Sequence, residues 1–200
     1  MLLSQSSNLG ATSALGASRS RTADLALRGA IAIAASLFVA ACAHIAVPLP
    51  FTPIPFTLQP FAVILVGMLL GPTMGFAALA AYLAEGAAGL PVFTPGSLQG
   101  VARLIGPSAG YLFAYPVAAA VAGALPRLFA RRSWLAYATA GTAAMLLTYT
   151  CATLWFSHAL HLSFGTALAG TVAPFAPSDA VKIAAAAGIA SAIANRARRA

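Results

Sequence analysis

The stretch DAVKIAAAAGIASAIAN, residues 179–195, decides how this chain is read. It opens on Asp179 and, three residues later, Lys182, the sole lysine among 200 residues; the rest of the stretch is almost entirely Ala, Ile and Gly. An apolar run of this length suits a helix crossing a bilayer, which needs about 17–25 residues. Ionisable groups inside such a span are costly and by default mark a ligand, ion or proton site. Positions i and i+3 share a helix face, so this carboxylate and this ammonium stand side by side.

Composition extends the membrane reading to the whole chain. Sixty per cent of residues are hydrophobic and seven per cent charged, against about 25% charged in soluble domains. The net charge of +8 is concentrated in clusters: Arg19, Arg21 and Arg28 before the first apolar run, Arg127, Arg131 and Arg132 in one short connection, Arg196, Arg198 and Arg199 at the end. Clusters flanking apolar segments follow the positive-inside rule. A nucleic-acid surface would need a continuous basic face interleaved with aromatics, which is absent. Cys42 and Cys151 lie in separate apolar runs and suggest neither a disulfide framework nor a clustered metal site.

Apolar stretches fall at about 28–47, 58–70, 74–90, 108–126, 134–156 and 179–195. Residues 61–84 carry no charge and could form one span. With six spans and the N-terminus inside, both later arginine clusters fall inside, whereas a merged span puts the 127–132 cluster outside. The expectation is therefore an all-α integral membrane protein: six transmembrane helices over 26–195, both termini cytoplasmic, with a disordered tail over 1–25 and a basic tail over 196–200. Gly71-Pro72 becomes a tight inner turn. Of the three outer connections, PLPFTPIPFT (48–57) carries four prolines in ten residues and should be stiff and non-helical. Small residues recur at four-residue spacing on the first helix, Ala26, Ala30 and Ala34, as where another helix approaches closely in lipid. Alanine is abundant throughout, so the spacing alone also fits plain composition.

Little catalytic chemistry is encoded. No phosphate-binding glycine loop precedes the one lysine, and there is no G-x-S-x-G turn. His158 and His161 have no carboxylate or cysteine near in sequence, which favours an interfacial pair over a metal site. The Asp179–Lys182 pair offers one acceptor and one donor together, suited to a neutral group with N–H and carbonyl functions, such as a cyclic urea. It could equally serve the helix end, with Ser178 as cap and Asp179 against the helix dipole. Glu85 lies near the outer end of the third stretch, where it could meet a ligand or pair within the bundle. Arg103 is the one arginine outside the clusters, and its fork of donors suits a carboxylate.

Four motifs, PFTLQ at 55–59, GLPVF at 89–93, GPSAGY at 106–111 and PSDAVK at 177–182, occur in an order that resembles the BioY family of biotin transporters. The resemblance covers about residues 26–195. It implies the substrate-binding S component of an energy-coupling-factor transporter in the bacterial cytoplasmic membrane, working with a transmembrane coupling protein and two ATPases that dock partly on small residues of the first helix. Some members are thought to function alone. No cofactor is implied. Asp179 and Lys182 match the family's aspartate and lysine that hold the ureido ring. Arg103 and the loop 96–100 fall where the family meets the valerate tail. Gln59, Phe93 and Tyr111, on the motifs, complete the expected ligand-binding set with Glu85. The chain departs from the family where TPGSLQG (94–100) replaces a glycine cluster and GPSAGY replaces GPTGGY. The expected function is biotin uptake without catalysis; the alternatives are another vitamin or heterocycle, or a lipid-modifying membrane enzyme.

Overall fold

A computed structural model describes residues 6–96, 98–129 and 133–197, with side chains from Arg21 onward. Arg131, Arg132, Arg198 and Arg199, on which the charge-based orientation partly rests, lie outside the described residues.

Helix α1 (Ser6–His44) is helical already over the stretch expected as a tail. Its residues from 21 to 31 are all exposed, and it seats in the bundle only towards its C-terminal half, through Ser36, Val39, Ala40, Cys42 and Ala43. The proline-rich connection then forms a two-stranded antiparallel hairpin, β1 (Ala46–Leu49) and β2 (Thr52–Thr57), with an irregular register between Val47 and Leu49. It is non-helical, as the prolines require. Strand pairing survives them because each strand of a two-stranded sheet is an edge and can spare N–H groups.

The run α2 (Gln59–Ala87) is interrupted at Gly71, whose φ of 80° and ψ of 178° are non-helical, immediately before Pro72. Gln59 Nε2 lies 3.0 Å from Tyr82 Oη, whereas 23 residues of straight helix would separate them by roughly 35 Å. The chain therefore reverses at Gly71-Pro72, and α2 is two antiparallel arms. Only glycine adopts that backbone region readily. Arg127 closes over the turn so tightly that a Cβ at Gly71 would overlap its guanidinium.

The short α3 (Val101–Leu104) leads into α4 (Ala109–Ala124), which packs closely on α2: a Cβ on Gly67 would come 2.8 Å from Ala119 Cα. A 3-10 turn, Leu125–Leu128, precedes α5 (Trp134–Ala159), followed by α6 (Phe164–Thr171) and α7 (Ala176–Ala197). Among the described residues, three helical runs are long and apolar enough by length and composition to cross a membrane, Arg21–His44, Gln59–Ala87 and Ala109–Leu128; in the second, the reversal at Gly71 divides that length between two arms. Four of the five threonines of α5 bond back to their own helix; Thr139, Thr142, Thr148 and Thr150 donate to the carbonyls of Ala136, Ala138, Ala144 and Leu146, while Thr153 meets Thr171 of α6 at 2.7 Å. Such bonds satisfy hydroxyls where water is absent.

The two ends of the bundle differ. The Gly71 turn and the 3-10 turn Leu125–Leu128 share one end. The hairpin, residues 98–108 and α6 share the other: Thr52 Oγ1 donates to the Gly170 carbonyl (3.2 Å), tying the hairpin to α6, and Trp155 Nε1 of α5 donates to the Gly106 carbonyl (2.9 Å). This capped end holds the site.

Candidate ligand site

Asp179 lies in the first turn of α7, where a carboxylate is favoured by the helix dipole. Lys182, one turn on, reaches back so that Nζ stands 2.7 Å from Asp179 Oδ1, with the two side chains 8% and 4% exposed. The second oxygen, Oδ2, accepts from Tyr149 Oη of α5 at 2.6 Å. The Lys182 ammonium also sits 4.3 Å from the ring centroid of Phe56, on β2, a cation–π contact of about 0.5–2 kcal/mol. A charge pair this deep is tolerable only when its remaining hydrogen-bonding capacity is met. Here two neighbouring elements, α5 and β2, supply partners.

The pair opens into a cavity of about 480 Å³, counted to its open mouth and including the solvent space there. The hairpin contributes Ile54, Pro55 and Thr57; α4 contributes Tyr111, Leu112 and Tyr115; Phe175, just before α7, adds a further aromatic wall. Gln59, Thr94, Ser108 and Arg103 add polar groups to this apolar lining. Gln59 is fixed by donating to Tyr82, whose hydroxyl donates to the Val92 carbonyl at 3.1 Å. Tyr111 donates to the Thr171 carbonyl and packs edge-on against Phe175, with centroids 6.4 Å apart. Arg103 is half-buried on α3; burial lowers its guanidinium from the ordinary value, opposed by the nearby Tyr82 and Tyr115 phenols. An arginine so placed keeps its charge.

Of the seven expected site residues, Asp179, Lys182, Arg103, Tyr111 and Gln59 meet in this one cavity. Glu85 and Phe93 do not line it. Glu85 instead accepts from Ser36 Oγ of α1, tying α1 to the second arm of α2. Phe93 is 1% exposed and packs edge-on against Tyr82, one layer behind the cavity wall. Ala26, Ala30 and Ala34 are all exposed on α1. His158 and His161 are exposed too, and no group of three metal-ligating side chains occurs among the described residues. Sequence reasoning misses Tyr149 and Tyr115, because a tyrosine in an apolar span looks the same in sequence whether it packs or donates.

A bundle of apolar helices enclosing a cavity with a buried ion pair at one side and an arginine in its wall defines a membrane protein that holds a small polar molecule. A family model described as the BioY family matches residues 13–199. The chain belongs to that family. It is 36% identical over 137 residues to a probable biotin transporter BioY of Pyrococcus horikoshii, covering 68% of this chain and 75% of the relative. It is 35% identical over 144 residues to the biotin transporter BioY of Thermotoga maritima, covering 72% and 79%. The fold is similar to a crystal structure of the S-component for biotin from an ECF-type ABC transporter, with a TM-score of 0.78 over 86% of this chain and 93% of that one, at 23% identity.

Proposed function

We propose that this chain binds biotin in the cavity at the capped end and carries out biotin uptake as the S component of an energy-coupling-factor transporter. The observation that carries the reading is the buried Asp179–Lys182 pair facing the same space as Arg103. A cyclic urea has a carbonyl that accepts and ring N–H groups that donate. Lys182 donates to the former, and Asp179 accepts from the latter. Arg103 takes the carboxylate of the side chain, while the apolar walls from the hairpin, Tyr111 and Phe175 pack the carbons between.

The chain crosses the bacterial cytoplasmic membrane six times: α1, the two arms of α2, α4, α5 and α7 are the spans, and the capped end faces outside. Two features support this: the reversal at Gly71, which returns the second arm of α2 to the capped end, and the position of Arg127 at the opposite end. The hairpin forms part of the gate, since Phe56 touches Lys182 and would feel the arriving ligand. A transmembrane coupling protein and two ATPases act from the α1 side, where Ala26, Ala30 and Ala34 stand exposed. Glu85 holds α1 in place from outside the cavity.

The test is a biotin titration of the purified protein, with desthiobiotin and lipoate as competitors. Desthiobiotin, which keeps the ureido ring, should compete; lipoate should not. Each of Asp179→Asn and Lys182→Ala removes a charged hydrogen-bonding partner of the ring, worth about 1.5–3 kcal/mol, so each should weaken binding by at least about tenfold. Absence of biotin binding sinks the substrate assignment, and normal binding by either variant moves the site elsewhere.

A further inference from the structure

Asp179 is anchored twice, and only one anchor belongs to its own helix. Lys182 takes Oδ1 from one turn along α7, while Tyr149 reaches Oδ2 from α5. Asp179 borders two spaces: the cavity, and an apolar groove between α5 and α7 that is walled by Ala138, Met145 and Ile183 among others. Tyr149 lines the groove and is not among the residues lining the cavity. Tyr149 is nevertheless buried, at 9% exposure, so its hydroxyl serves the carboxylate from behind the cavity wall.

We infer that Tyr149 is a positioning residue for ligand recognition: it fixes the plane of the Asp179 carboxylate so that its remaining lone pairs accept the ring N–H groups of a urea. The inference rests on the biotin reading of the cavity. The carboxylate–carbon torsion of an aspartate is broad and weakly restrained, and a single bond to a flexible lysine would leave it free to turn with the ammonium. A second bond, from a rigid ring on a different helix, removes that freedom. An ionised carboxylate has about four acceptor positions; Lys182 and Tyr149 occupy one on each oxygen, leaving one on each for a ligand. The sign of the chemistry also matches. A phenol carrying its proton can only be satisfied here as a donor, which keeps Asp179 an acceptor and suits a ligand that arrives with N–H donors. The other phenols near Asp179 are those of Tyr111 and Tyr115; that of Tyr111 is committed to the Thr171 carbonyl.

The experiment compares the full chain with Tyr149→Phe in lipid nanodiscs, since that change deletes only the hydroxyl. Biotin affinity should fall by about tenfold. Infrared difference spectra should show the Asp179 carboxylate band, recognised by its loss in Asp179→Asn, displaced in Tyr149→Phe both before and after biotin is added. Looser packing alone would lower affinity without moving that band. If Tyr149→Phe does not fold, a single 3-fluorotyrosine placed at position 149, a more acidic donor, should displace the band instead. An unmoved band, or unchanged biotin affinity in Tyr149→Phe, overturns the inference and leaves the biotin reading intact. A parent chain that binds no biotin removes both.

Discussion

Arg103 and Lys182 are the two cations left over when the arginine clusters are set aside, and both line the cavity. Each can be assigned to one end of the ligand by changing the ligand, which is cleaner than changing the protein alone. Arg103→Gln should weaken biotin by at least about tenfold, the usual cost of losing a hydrogen bond to a charged group. Biotinamide, whose side chain ends in a neutral amide, should be affected about twofold or less. Equal losses for both would show that Arg103 does not read the carboxylate. At this scale the sequence is informative wherever charge is scarce: with three acids and one lysine, each ionisable group in a span is conspicuous. It is uninformative about which acid does what. Glu85 and Asp179 are equally anomalous by hydropathy, and only the fold shows that one serves a helix contact and the other the cavity.

Among the elements, α2 carries the most architecture in the fewest residues. Its reversal is legible because Gly-Pro combines a residue tolerant of positive φ with one that cannot continue the preceding helix. Gly71→Ala should cost about 1–3 kcal/mol from the backbone conformation, lowering the thermal midpoint by roughly 5 °C. An unchanged midpoint in a detergent melt would argue against a reversal at that residue. The hairpin is harder to foresee. Four prolines in ten residues rule out a helix, yet they also argue against strands, and nothing local reveals that both strands are edges. The role of α5 is hidden as well. Four of its five threonines bond to their own carbonyls, and among the described residues Tyr149 alone reaches across to α7 as a side-chain donor to a carboxylate.

For the molecule as a whole, the bundle has a capped end with a binding cavity and a helix, α1, whose outer face is left bare. Leu25, Leu27, Ile33 and Leu37 are all more than 45% exposed, alongside the alanine stripe. If a coupling protein seats there, Ala30→Trp with Ala34→Trp should leave biotin affinity unchanged and impair uptake in cells, because bulk would block close helix approach. Uptake at the parental rate would exclude this face. The membrane class is readable from composition. The distinction between the two ends comes from which connections are long, and the cavity itself needs three separate connections to converge.

Lys182 has one more consequence. It is the only side-chain amine in the chain, so an amine-directed acylating reagent has a single side-chain target, at the floor of the cavity. The charge pair and 8% exposure should make its acylation slow, and a bound ligand should make it slower still. After tryptic cleavage at the flanking arginines, Arg132 and Arg196, the added mass would appear on the peptide 133–196. Occupancy of the cavity could then be read by mass spectrometry in intact membranes, without purification and without a labelled ligand. Equal acylation rates with and without saturating biotin would show that the ligand does not cover this amine.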